Sequence, residues 1–199
     1  YECLVRIKAS GICGTTDREL IKGTQPFHDK YPCLLGHEAV GEVLEVGAKV
    51  RNFRRGELVT RPVGIWPGTQ REGLWSGWGG CAEFGFVRDG RAMAGDGDAS
   101  LEKDYTAQRQ YAVPPGLSVK EACAALSLAE TSSWTWNLPP LAGKNIAIAG
   151  TGSAGLSIAL WCKFAQARRV LVLGRRDERL RLAEVFGADA PVNVRRGDT

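Results

Sequence analysis

Along the first 115 residues, apolar positions come in short bursts separated by Gly and Pro. Leu4-Val5-Arg6-Ile7 is one burst, and Ala39 to Val46, bounded by Gly36 and Gly47, is a second. Glu57-Leu58-Val59-Thr60 follows the turn Arg54-Arg55-Gly56 and stops at Pro62, and Cys81 to Val87 follows a Gly- and Trp-rich stretch. Segments this short and this regularly punctuated predict the strands of a barrel or sandwich. Residues 88–110 are polar and irregular around Asp96-Gly97-Asp98 and predict a surface loop.

The pattern changes near Pro114-Pro115-Gly116. Ser118-Val119-Lys120-Glu121 has the spacing of a capping box and predicts a helix running to about Ala129, then a second helix or loop ending at Pro139-Pro140. Asn145 to Ala149 reads as a buried strand, Ser153 to Ala165 as a helix, and Val170 to Leu173 as another strand. Asp177 is placed as the cap of a further helix, with Leu180, Leu182, Ala183 and Phe186 on one face and Gly187 as its stop. Pro191 to Val194 begins a third strand. Strand-helix-strand-helix order predicts a parallel sheet covered by helices, so the fold class is α/β with an all-β part before it.

Composition narrows the function classes. The chain has 199 residues, 44% of them hydrophobic, which is enough to bury a core without disulfides. Its 26 basic and 22 acidic residues are interspersed, and the basic runs are pairs, so neither a nucleic-acid stripe nor a membrane span is expected. The six cysteines form no C-x-x-C pair, which argues for free thiols in a reducing compartment, the cytoplasm, and against a Cys-rich structural zinc site. The chain starts inside a predicted strand with no lead-in and is expected to be a piece of something longer.

Two constellations carry chemistry. Gly150-Thr151-Gly152-Ser153-Ala154-Gly155 is G-x-G-x-x-G between a strand and a helix, the context in which free N–H groups at a helix start meet a dinucleotide pyrophosphate. At the end of the next strand, where an acidic residue would hold the ribose of NAD, stand Gly174, Arg175 and Arg176; room followed by guanidinium suits the 2′-phosphate of NADP. The second constellation is Cys13 with His37 and Glu38. Cys and His suit zinc, but their separation alone decides nothing, and adjacent residues on a regular strand face opposite ways. One metal could take both His37 and Glu38 only if the backbone bends, which Gly36 permits. His28, in a polar loop, is expected to be solvated.

Taken together, GICGTTD, YPCLLGHEAVGEVLEVG, GELVTRP, GGCAEF, VPPGLSVKEA, IAIAGTGSAG and VLVLGRRDERLRLAEVFGAD resemble the zinc-dependent medium-chain alcohol and polyol dehydrogenases, in order and over nearly the whole chain. TDREL resembles the sugar (glucose) dehydrogenase branch. The resemblance implies a GroES-like β-barrel catalytic domain over residues 1–137 and the N-terminal part of a Rossmann domain over 138–199, with the active site in the cleft between them. It implies one catalytic zinc on Cys13 and His37, with Glu38 as ligand or close partner and Glu130 as a further ligand candidate. Thr15 or Thr16 would relay the substrate proton, and Asp17 would orient a ligand. Two residues, Thr15 and Thr16, separate Cys13-Gly14 from Asp17 where the family usually has one. Residues 61–80 stand where many members bind a structural zinc, and they hold no cysteine, so none is expected.

The function so implied is zinc-dependent, NADP-linked interconversion of an alcohol, polyol or sugar and its carbonyl, by a protein that is a homodimer or homotetramer when full length. These residues alone are not expected to turn over substrate. Two rivals are a zinc-free quinone- or enoyl-type reductase on the same scaffold, compatible with ACAALSLAETSSW, and a non-catalytic dinucleotide-binding protein. Metal content separates the first, and alcohol turnover the second.

Overall fold

The structure is a computed structural model that describes residues 1–196; the last three positions of the expected 138–199 domain lie outside the described residues. The chain divides into two compact units, Tyr1–Ala124 and Ala125–Thr199.

The first unit is built on an antiparallel sheet. Its strands are β1 (Glu2–Gly11), β3 (Glu38–Val46), β4 (Leu58–Thr60) and β7 (Phe84–Arg88), in the order β4-β3-β1-β7. Alternation works as expected: Cys3, Val5, Val43, Val59 and Val87 point inward and pack on Phe53. A small second sheet, β2 (Cys33–Leu34), β6 (Leu74–Ser76) and β5 (Gln70–Arg71), fills the Gly- and Trp-rich stretch. The register of β1 on β3 sets Gly11 opposite Glu38, bringing the segment after β1 beside the segment before β3.

Residues 88–110 are not the loop their polarity predicts. They form α2 (Gly90–Gly95) and two 3-10 turns, Ala99–Lys103 and Ala107–Arg109, around buried Asp89, Ala92, Met93, Thr106 and Gln110. Asp89 organises this segment. Its carboxylate caps α2 through the Ala92 N–H at 2.9 Å and accepts the Arg51 and Asn52 N–H groups at 2.7 Å each. Burial would raise its pKa, but these bonds hold it below the usual carboxylate value. Polar residues that satisfy buried backbone read, in sequence, like residues that face water.

The predicted break after Ala129 is also absent: α3 runs unbroken over Val119–Trp136. Its capping box forms, Ser118 N–H to Glu121 Oε2 at 2.8 Å and Glu121 N–H to Ser118 Oγ at 3.3 Å. Within the run Thr131-Ser132-Ser133-Trp134-Thr135 the Thr131 and Thr135 hydroxyls donate to carbonyls one turn back, both at 2.8 Å, so these polar side chains are satisfied inside the helix without ending it.

The second unit is a parallel sheet in the order β10-β9-β8, made of β8 (Asn145–Ala149), β9 (Arg169–Gly174) and β10 (Ala190–Asn193). Helices α4 (Ser153–Phe164) and α5 (Asp177–Val185) connect the strands. Ile148, Leu156, Ala159, Cys162, Val170, Val172 and Ala183 form its core. Asp177 does not cap α5. Arg176 occupies the N-cap without a side-chain bond, and the Asp177 carboxylate accepts instead from Asn193 Nδ2 at 2.7 Å and from the Arg196 guanidinium. Parallel pairing sets Asn193 beside Gly174, and donors from that neighbouring strand outcompete the helix's own N–H groups.

Candidate metal centre

Cys13 lies just past β1, and Thr16 opens the short helix α1 (Thr16–Lys22) directly after it. His37 lies just before β3 and Glu38 is its first residue, so the regular alternation that would separate them has not begun. Gly36 makes the bend, at φ +106. A Cβ there would stand 2.6 Å from the Cys81 N and 2.9 Å from the Gly80 carbonyl carbon, a close approach no other residue allows. Across the pair, a Cβ at Gly11 would stand 2.9 Å from Glu38 Oε2, so the glycine leaves that carboxylate its place.

One ligand atom from each of Cys13, His37 and Glu38 falls within 4.8 Å of the others, and all three residues are half-buried. Asp17, 4% exposed, stands behind them: Oδ2 accepts the Cys13 N–H at 2.8 Å, and Oδ1 faces His37 Nδ1 at 3.4 Å. Those two facing atoms are the buried side-chain polar atoms without a hydrogen bond among the described residues. The Thr16 N–H approaches Cys13 Sγ at 3.4 Å. Asp17 thus reaches its place despite the additional threonine. Thr15, exposed, holds the N-cap position of α1 without a capping bond, while Thr16 is half-buried.

A thiol, an imidazole and a carboxylate converging at this spacing form a donor set that suits zinc, and a carboxylate facing the second nitrogen of a ligating histidine is the usual support. The residues present fit such an ion. Burial raises the neighbouring Cys123 thiol above its ordinary pKa, and the Glu38 charge raises it further. Glu130 lies on the part of α3 counted with the second unit.

The aromatic wall beside the donors has a weaker signature in sequence. The Trp78 ring lies 5.4 Å from the His37 ring. Trp78 has φ +68, a left-handed conformation that costs a bulky residue about 1–2 kcal/mol. Its only local sign is a tryptophan set between two glycines, Gly77 and Gly79.

The glycine-rich turn at residues 150–155 joins β8 to α4. Gly150 has φ +123, and a Cβ at Gly155 would lie 2.3 Å from the Gly150 carbonyl oxygen, so both glycines are required for α4 to start this close to β8. Gly152 is the N-cap, with Ser153 and Ala154 in the first turn and Thr151 buried beneath it. Arg175 and Arg176 are exposed at the end of β9. Gly174 answers to packing as well as to room for a ligand: a Cβ there would meet Thr151 Cγ2 at 2.7 Å and Leu180 Cδ2 at 3.0 Å.

Residues 1–95 match the family model of the alcohol dehydrogenase GroES-like domain. An alcohol dehydrogenase of Geobacillus stearothermophilus is 32% identical over 99% of this chain and 57% of its own length. An NADP-dependent isopropanol dehydrogenase of Thermoanaerobacter brockii is 26% identical over 99% of this chain and 56% of its own. Among solved structures, a protein described as a zinc-binding dehydrogenase from Sinorhizobium meliloti 1021, bound to NADP, superposes with a TM-score of 0.69 at 27% identity, over 99% of this chain and 56% of that one. The chain therefore spans about half the length of the curated relatives it matches.

Proposed function

The chain belongs to the zinc-type medium-chain alcohol dehydrogenases, and on that premise we propose that the full-length protein interconverts an alcohol and its carbonyl with NADP(H), using one zinc held by Cys13, His37 and Glu38. The observation that carries the reading is the convergence of those three donors within 4.8 Å. Zinc in such a site supplies Lewis acidity toward the substrate oxygen and lowers the pKa of a bound alcohol. NADP supplies the hydride acceptor.

The chain's own residues do the rest. Asp17 Oδ1, 3.4 Å from His37 Nδ1, would orient the imidazole so that Nε2 is left to hold the ion, and Oδ2 holds the Cys13 main chain in place. The Thr16 N–H offers a hydrogen bond to the Cys13 sulfur, which helps hold that side chain in place. A threonine hydroxyl, on Thr15 or Thr16, passes the substrate proton toward water. Gly150, Thr151, Gly152, Ser153, Ala154 and Gly155 present the start of α4 to the pyrophosphate. Arg175 and Arg176 hold the 2′-phosphate in charge-assisted bonds.

Steady-state assays of the full-length protein test this. Alcohol oxidation should prefer NADP over NAD by at least about tenfold, or about 1.4 kcal/mol. Arg175→Leu should erode that preference; it is a cleaner change than Gly174→Asp, whose Cβ would collide with Thr151. Cys13→Ser should abolish oxidation while NADPH binding persists, and Glu130→Ala should weaken zinc binding less than Cys13→Ser does. Near-full activity in Cys13→Ser, or a wild-type preference for NAD, contradicts the corresponding part of the proposal.

A further inference from the structure

Beside the metal ligands lies a small pocket lined by His37, Trp78, Tyr105 and Thr106. The last three also line a larger cavity of about 690 Å3. Phe27, Trp66, Trp78 and Tyr105 supply its aromatic wall. Two of those rings are held by stacked guanidiniums, Arg88 at 3.9 Å from the Trp66 centroid and Arg109 at 3.4 Å from that of Tyr105. Phe27 is 94% exposed and Tyr105 53%, so much ring surface has no partner within the chain.

Most polar side chains of the cavity are already engaged. Ser76 Oγ donates to the Ile65 carbonyl and Ser100 Oγ to Asp98, both at 2.6 Å. Arg88 donates to Glu2 Oε1 through Nε and one terminal nitrogen, and to Asp104 Oδ2 through the other. Asp104 Oδ1 accepts the Ala107 N–H at 2.9 Å, and His28 Nε2 lies 2.6 Å from the Lys30 carbonyl oxygen. Lys103, Thr106, the Tyr105 hydroxyl and the indole N–H groups of Trp66 and Trp78 remain for polar contacts, the last three at the rims of aromatic rings. A polyol finds few charged or carboxylate partners here that are not already bonded, whereas a flat apolar ring finds faces and edges to stack on in Phe27, Trp66, Trp78 and Tyr105.

We propose that the alcohol oxidised at this centre carries an aryl group, seated in the aromatic cavity with its carbinol end toward His37, and that Trp66 and Tyr105 determine that specificity. This rests on the alcohol dehydrogenase reading above. The test uses full-length protein with benzyl alcohol, sorbitol and isopropanol as substrates, and binding of benzyl alcohol and of sorbitol followed in parallel by calorimetry. Benzyl alcohol should exceed sorbitol in kcat/KM by about 100-fold, the scale on which unpaired polar groups discriminate. Trp66→Ala should raise KM for benzyl alcohol by about tenfold with little change in kcat for the same alcohol, the mark of lost uniform binding. Tyr105→Ala, at an exposed position, should do the same if Trp66→Ala folds poorly. Preference for sorbitol, or benzyl alcohol binding unaltered in both variants, overturns the proposal. Turnover of none of the three alcohols would count against the dehydrogenase reading itself; calorimetry then still decides the cavity, because binding needs no turnover.

Discussion

Asp17 shows how much a single side chain contributes before any metal arrives. One oxygen holds the Cys13 main chain and the other faces His37 Nδ1, so the two residues are oriented by the same carboxylate. Asp17→Ala should leave the fold intact and weaken zinc binding by about 10–100-fold, measured by competition with a chelator. An unchanged affinity would mean that the Asp17–His37 approach does not orient the ring. Cys3 gives a residue-scale prediction about stability. It is 1% exposed, and burial pushes its thiol from an ordinary 9.0 up to about 11. The folded pKa is the higher one, so this stabilisation is complete below pH 9.0 and is lost as pH rises through about 11. Over that window wild type should lose about 2–3 kcal/mol more than Cys3→Ala, since each tenfold change in proton affinity is worth about 1.4 kcal/mol. Denaturant melts of both proteins across the range measure it, and parallel curves would refute it.

At the scale of elements, the segment after β7 depends on Asp89. Replacing it by Ala strips the cap from α2 and leaves the Arg51 and Asn52 N–H groups without an acceptor. The loss should be about 1–2 kcal/mol, seen as a lower denaturation midpoint, since a lost N-cap costs about 0.5–2 kcal/mol while Arg51 and Asn52 lie exposed, where water can meet their N–H groups. A change under about 0.5 kcal/mol would mean that water replaces the carboxylate freely. Periodicity made β1, β3, α4 and β9 legible, because each buries an alternating or helical apolar face, whereas β8, read as a buried strand, is an edge strand among the described residues, with Asn145, Ala147 and Ala149 exposed. It failed where polar side chains are spent on the backbone: Asp89 reads as a loop residue, the threonines of α3 as a helix end, and Asp177 as a cap although its partners come from β10 and beyond. Of the candidate site, the bend at Gly36 was legible as a glycine before adjacent donors, while Cys13 and His37 were named as ligands only through the family resemblance, because their spacing along the chain decides nothing. The aromatic wall was not legible, because Phe27, Trp66 and Tyr105 meet only through tertiary packing.

Across the whole molecule, the first unit carries the donor cluster and the second the glycine-rich turn at residues 150–155, and each is built around its own hydrophobic core. No helix among the described residues is long and apolar enough to cross a membrane. Residues 61–80 contain no cysteine, so one zinc per chain is expected and no second, structural one. The most direct test is zinc X-ray absorption combined with elemental analysis of the full-length protein and of Cys13→Ser. The expected result is one zinc per chain with a single sulfur near about 2.3 Å and nitrogen or oxygen ligands at about 2.0–2.2 Å, and loss of that sulfur in the variant. A zinc surrounded by four sulfurs, or a spectrum unchanged by Cys13→Ser, would contradict a centre built on Cys13, His37 and Glu38.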